Sequence, residues 1–185
     1  YYDENGVPFR SKLIAGFSKS SALGSIWPGA YNFLVKNAVT GKLIKKLAGF
    51  AVDRSMPTLY ATTLESWFRK RASKKIESPK KSVYFFCDEF TNYNDTAIGI
   101  KAIELLEALG YEVKIPKHVE SSRAWLSKGL LKGAKKIIDQ NIRLLAPIVS
   151  DQTPLVGVEP SAILTFRDEY IDLASEELFP QAKEL

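Results

Sequence analysis

Val83-Tyr84-Phe85-Phe86-Cys87 is the stretch on which the fold turns. A short, continuous apolar run of this kind suits a strand buried on both faces, as in a parallel sheet. Working outward, Asp95 to Leu109 places Ile98, Ala102, Leu105, Leu106 and Leu109 at helical spacing, and Gly110 follows as the residue that closes the helix. Tyr111-Glu112-Val113-Lys114-Ile115 reads as a second strand. Ser127 to Ala146 reads as a second helix, stopped by Pro147. Leu155-Val156-Gly157-Val158 reads as a third strand, and Pro160 opens a third helix at the favoured first-turn position. Strand–helix alternation predicts an α/β fold with a three-layer-like parallel sheet over residues 80–175.

Upstream the grammar differs. Residues 1–20 read as an irregular lead-in, with turn signals at Asn5-Gly6 and Val7-Pro8. Ala30 to Ala51 has helical spacing, divided at Thr40-Gly41, with Lys42, Lys45 and Lys46 together on the polar face. Thr62 to Lys70 reads as a short helix with a Leu64, Trp67 and Phe68 stripe. Arg69 to Lys81 is a charged linker ending in Ser78-Pro79. The expected division is a helical, basic segment at 1–79 and an α/β domain at 80–185.

Charge follows the same division. Residues 1–79 hold 13 Lys and Arg against 5 Asp and Glu, a net of +8; residues 80–185 hold 13 against 16, a net of −3. Two regions with different neighbours are expected. The lysines are not interleaved with aromatics in an RNA-binding pattern, so nucleic acid is not expected as a partner. The basic helical stretch at 30–50 leaves room for peripheral contact with an anionic membrane, although a solvated face is the plainer reading. No apolar run reaches the roughly 18 residues of a membrane span. Tyr1 in place of a start methionine suggests a piece of a longer protein. One cysteine excludes an internal disulfide and, within one chain, an all-cysteine cluster site. A reducing, cytoplasmic setting is the default.

In open parallel sheets ligands bind beyond the carboxyl ends of the strands. Three loops leave those ends, with Cys87, Asp88 and Glu89 in the first, Lys117, His118, Glu120, Ser121, Ser122 and Arg123 in the second and Glu159, Pro160 and Ser161 in the third; together they nominate a crevice of Cys87, Glu120, Ser121, Ser122, Arg123, Glu159 and Ser161. Each residue also has a plain reading. Cys87 reads as a small buried hydrophobe, His118 as a loop residue and Glu159 as a helix cap. Arg123 is expected to pair with Glu120 or Glu159. Cys87, His118 and Glu159 are acceptable zinc ligands in type, but their spacing is not diagnostic and no metal is expected. Phe86-Cys87-Asp88-Glu89-Phe90 contains no glycine-rich phosphate loop. No catalytic residue is nominated. An alternative use of the crevice is to bind a small anion or carboxylate at Arg123 and the helix beginning at Pro160.

Several segments together resemble the cysteine-rich domain named for its Cys-Cys-Gly motif. That domain occurs in heterodisulfide reductase B subunits, in iron–sulfur subunits of glycolate oxidase and glycerol-3-phosphate dehydrogenase, and at the end of fused FAD-linked oxidases of the D-lactate dehydrogenase type. The resemblance runs over about residues 82–173. It rests on Val83 to Cys87, on Asn92-Tyr93-Asn94-Asp95 and the helix after it, on Glu120-Ser121-Ser122-Arg123 where the family has Cys-Cys-Gly followed by Arg, and on Glu159-Pro160-Ser161-Ala162. Asp53-Arg54-Ser55-Met56-Pro57 and Trp67-Phe68-Arg69 resemble the segment that precedes the domain in the fused oxidases.

The resemblance implies a C-terminal accessory domain of a large FAD-linked oxidoreductase acting on a lactate- or glycolate-like 2-hydroxy acid. It implies FAD and 4Fe-4S clusters in that parent, and none in this segment. It also implies upstream FAD and ferredoxin-like domains as partners, an electron-transfer partner, and a place in the cytoplasm or at the inner membrane. Of the usual ligand positions only Cys87 remains, and a carboxylate, serines and an alanine do not reproduce thiolate ligation.

Overall fold

A computed structural model of the chain describes residues 2–71 and 79–185. Its helices and strands run in the order α1 (Tyr2–Asn5), α2 (Phe9–Ala15), α3 (Phe17–Gly24), α4 (Pro28–Lys36), α5 (Ala38–Ala48), α6 (Leu64–Lys70), β1 (Ser82–Phe85), α7 (Glu89–Tyr93), α8 (Thr96–Ala108), β2 (Glu112–Lys114), α9 (Arg123–Leu126), α10 (Leu131–Leu145), β3 (Leu155–Val156), α11 (Pro160–Ile163), α12 (Glu169–Leu173) and α13 (Phe179–Glu184), with 3-10 turns at Leu164–Phe166 and Glu176–Leu178. Most of the expected linker falls at 72–78, outside the described residues.

The sheet is parallel, with order β2-β1-β3. Val83 pairs with Val113, and Phe85 with Val156. Side chains alternate across β1 as the pleat requires. Val83, Phe85 and Cys87 join Leu64, Ile103 and Val113 in one core, under α6 and α8. Phe86 joins Ala134, Ile138, Ile142, Leu145, Phe166 and Tyr170 in the other, under α10 and α12. The run of apolar residues therefore serves two faces, and the α/β expectation holds.

Gly110 closes α8 at φ 90°, a conformation that favours glycine. Behind α6, Arg71 forks onto Glu107, with nitrogen–oxygen distances of 2.6 and 2.9 Å. Its guanidinium lies 4.1 Å from the Phe68 ring centre. That bidentate pair on a mostly buried carboxylate ties the end of α6 to α8.

Several boundaries differ from the sequence reading. Within the expected irregular lead-in, residues 2–5, 9–15 and 17–20 are helical: Phe9, Leu13 and Phe17 fall at intervals of four, and α2 and α3 gain their support by packing against α9 and α7. Turn signals at residues 5–8 mask that periodicity. The break between α4 and α5 falls at Asn37 rather than at Thr40-Gly41. The Asn37 side chain accepts hydrogen bonds from the N–H groups of Val39 and Thr40, capping α5. Gly41 lies inside the helix because a Cβ there would sit 2.5 Å from the Val35 carbonyl oxygen.

Lys45 leaves the expected lysine face and donates to the carbonyls of Val52 and Arg54. The helix expected from Ser127 begins at Leu131, after the short α9 and a left-handed Gly129. The third strand ends at Val156, because Gly157 and Val158 lie beyond its pairing with β1. Among the described residues no helix is long and apolar enough to cross a membrane.

Candidate functional site

The chain passes from β1 to β2 on one side and later returns to β3 on the other side of β1. The carboxyl ends of β1 and β2 open into a cavity of about 310 Å³ lined by Ser18, Glu65, Cys87, Glu89, Asn92, Tyr93, His118, Val119 and Glu120. The parallel-sheet rule thus brings Cys87, His118 and Glu120 together from loops far apart in sequence.

Cys87 and His118 meet through the backbone. The Cys87 N–H donates to His118 Nε2 at 3.3 Å, while His118 Nδ1 lies 2.8 Å from the Val119 carbonyl. A carbonyl can only accept, so Nδ1 carries the hydrogen and Nε2 acts as acceptor. The imidazole is neutral and engaged at both nitrogens, and burial lowers its pKa. It packs against Phe86 with ring centres 4.5 Å apart. Burial, with Glu65 and Asp88 beside it, pushes the Cys87 thiol up. A nucleophilic or metal-binding cysteine needs the opposite surroundings, which favour thiolate.

The acids are locked by short polar contacts. Asp88 caps α7, accepting from the N–H groups of Phe90 and Thr91, both at 2.9 Å. Glu89 is 3% exposed and is held by Ser121, whose N–H donates at 2.8 Å and whose hydroxyl donates at 2.7 Å. Burial raises Glu89; burial and the Glu89 charge raise Glu120 to about 7; burial raises Asp88 to about 6. Behind the second loop, Asn141 on α10 accepts from the Val119 N–H and donates to the Glu120 carbonyl, each at 2.9 Å. Tyr170 donates to the Ser121 carbonyl at 3.2 Å and receives the Asn141 amide at 2.8 Å. This buried network fixes residues 119–121 from the opposite layer.

The other nominated residues lie elsewhere. Glu159 caps α11, accepting from the Ala162 N–H at 2.6 Å and the Ser161 hydroxyl at 2.7 Å, as its plain reading had it. Ser122 is fully buried at φ 70°, in the left-handed region, and its hydroxyl has no hydrogen-bond partner among the described residues. Arg123 pairs with Glu169 at 2.6 Å, not with Glu120 or Glu159. Arg123 and Ser161 line a separate cavity. The reason is local: the left-handed turn at Ser122 separates Ser121, bound to Glu89, from Arg123, the first residue of α9.

Sequence reasoning missed Glu65, Ser18, Asn92 and Tyr93. Glu65 and Ser18 arrive from α6 and α3, outside the strand-end loops, so no sheet rule points to them. Glu89, in the first strand-end loop, does line the pocket, as the sheet rule led one to expect.

An iron–sulfur centre does not fit this donor set. Cys87 is the single thiol, His118 is committed at both nitrogens, and Glu89 and Ser121 satisfy one another. Among the described residues no three His, Cys, Asp or Glu are grouped to hold a metal ion. With three glutamates on its wall, the pocket can hold protons or attract donors and cations, and it repels anions.

Over 173 residues, 88% of its length, the chain is 26% identical to D-2-hydroxyglutarate dehydrogenase of Escherichia coli (strain K12), of which it spans 17%. It is 27% identical over 183 residues to the Haemophilus influenzae protein of the same name, covering 95% of this chain and 18% of that one. It is 26% identical over 143 residues to one subunit of the anaerobic glycerol-3-phosphate dehydrogenase of Escherichia coli (strain K12), covering 74% of this chain and 36% of that subunit. No family model matches the chain, and no solved structure matches it. The chain is therefore similar, along most of its length, to a part of two kinds of dehydrogenase, and spans less than a fifth of the first kind.

Proposed function

We propose that this chain is the C-terminal accessory part of a large FAD-linked, iron–sulfur oxidoreductase that oxidises a 2-hydroxy acid, and that it serves to dock rather than to carry a metal of its own. The observation that carries the docking role is the number of large apolar side chains that the N-terminal helices leave exposed. Leu23, Ile26, Trp27, Phe33, Val39 and Leu47 are each between 66% and 79% exposed. Isolated exposed apolar residues are ordinary, but six of this size within 25 residues of sequence mark a surface made to be covered. Lys36, Lys42 and Lys46 lie among them, so the partner surface is apolar with acidic groups around it.

The relatives supply the rest. Two carry the name of a 2-hydroxyglutarate dehydrogenase, and this chain corresponds to a small share of their length. The partners proposed are the FAD and ferredoxin-like domains of the same polypeptide. Around the strand-end pocket, Glu89 is engaged by Ser121 and His118 by the Cys87 N–H, which leaves these groups committed to one another rather than to a metal.

The test is made in the longer polypeptide. Trp27→Ser with Leu47→Ser should lower 2-hydroxyglutarate oxidation with the physiological acceptor by at least fivefold, or release the domain to early proteolysis. Unchanged activity and an unchanged proteolytic pattern would remove the docking role.

A further inference from the structure

A second cavity, of about 660 Å³, lies between the N-terminal helices and the α/β unit. Its size falls in the roughly 300–1,000 Å³ range of small-molecule sites. Its walls are apolar: Ile14, Phe17, Phe50, Met56 and Phe90 line it, with Phe17 stacked on Phe90 at 5.1 Å between ring centres. Three cations also line it, Lys45, Arg54 and Arg123, and no lining residue is an aspartate or glutamate.

The three cations are unequally committed. Lys45 is anchored by the carbonyls of Val52 and Arg54, which fix its charge in place without neutralising it. Arg123 spends Nη1 on Glu169, and no other ion pair forms at its guanidinium among the described residues. Arg54 is exposed, and its guanidinium makes no ion pair among the described residues.

We infer that this cavity binds an amphipathic anion, a long-chain carboxylate whose chain lies along Phe17, Phe50, Met56 and Phe90 and whose head meets Arg54 and Arg123. Chemistry on both sides selects that class. A small anion would leave the apolar walls in water, and a neutral hydrocarbon would leave Arg54, and the nitrogens of Arg123 that Glu169 does not take, without an acceptor. A guanidinium accommodates a carboxylate through paired N–H donors. The acidic pocket at the strand ends, by contrast, would repel the same head group. Anion binding therefore belongs to Arg123 and Ser161 on this cavity, with a chain attached, and not to the polar crevice. The inference stands independently of the docking role.

Calorimetric titration of the chain with dodecanoate, dodecyltrimethylammonium and butanoate, each below its micellar concentration, decides it. Saturable one-to-one binding of dodecanoate is expected, at least tenfold tighter than the cationic analogue, with no detectable heat from butanoate. Arg54→Ala, at an exposed position, should weaken dodecanoate at least threefold. Ala48→Trp should fill the cavity and abolish binding; if that variant does not fold, the Arg54 result and the head-group order stand as the test. Equal affinity for the two head groups, no saturable dodecanoate binding, or a folded Ala48→Trp protein that binds unchanged would each overturn the inference.

Discussion

Ser122→Gly should make this protein more stable, although it removes a fully buried side chain. Ser122 sits at φ 70° with no exposed surface; its hydroxyl faces the Tyr170 hydroxyl but makes no hydrogen bond of normal geometry among the described residues. Holding a non-glycine residue in the left-handed region costs about 1–2 kcal/mol. Glycine relieves that cost but gives back roughly 0.5–1 kcal/mol through the greater freedom of its unfolded chain. An unsatisfied buried hydroxyl costs a further ~1–3 kcal/mol. The void left by Cβ and Oγ, on the order of 25 Å³, takes away about 0.6 kcal/mol. The net is a gain of about 0.4–4 kcal/mol, at about 2–4 °C in Tm per kcal/mol for a chain of this size. Ser122→Ala separates the contributions, because it keeps the strained backbone and drops the hydroxyl. Urea unfolding followed by circular dichroism should rank the proteins glycine, then alanine, then serine. A serine protein more stable than both variants would show that the hydroxyl is satisfied and the strain negligible, and would refute the reasoning.

Other outcomes follow from the same network. Glu120 is raised from 4.5 to about 7 in the folded state, so its contribution to stability is complete below about 4.5 and is lost as pH rises to about 7. Glu120→Gln should flatten the fall of Tm across that window and raise Tm at pH 8; an unchanged slope would mean that Glu120 ionises normally. Asn141→Ala strands the Val119 N–H and the Glu120 carbonyl and takes one of the two partners of the Tyr170 hydroxyl, and should cost about 2–4 kcal/mol in urea unfolding. Tyr170→Phe removes fewer contacts and should cost about 1–2 kcal/mol; equal losses for the two would contradict the assigned bonding. Cys87 should resist iodoacetamide at pH 8 in the native protein and react fully in urea, since its surroundings disfavour thiolate; rapid native alkylation would show a lowered pKa instead.

The α/β half was legible because its signals are local and agree. The apolar run at 83–86 marked a strand buried on both faces, Gly110 marked a helix end, and the parallel-sheet rule foresaw Cys87 and His118 at one end of the sheet. The N-terminal half was less legible. Helices α2 and α3 gain stability by packing on α9 and α7, which no propensity at residues 9–24 announces. Asn37 rather than Gly41 ended α4 because a cap is a specific hydrogen bond, whereas a glycine inside a helix can instead mark close packing. Glu65 was invisible for a related reason: only the approach of α6 to the strand ends brings it to the pocket. Arg123 was misplaced because one left-handed residue redirected the chain.

We propose that the strand-end pocket holds no iron–sulfur centre: where the resembled domain implies thiolates it presents Glu89 bound to Ser121 and a neutral His118 held by backbone groups. The direct measurement is iron and zinc analysis with a visible spectrum, on protein purified without oxygen and again after iron–sulfur reconstitution. Protein with less than a tenth of an equivalent of metal and no absorbance band near 400 nm is the predicted result. Stoichiometric iron with a cluster spectrum, lost in Cys87→Ser, would contradict the account and place redox chemistry at the strand-end pocket itself.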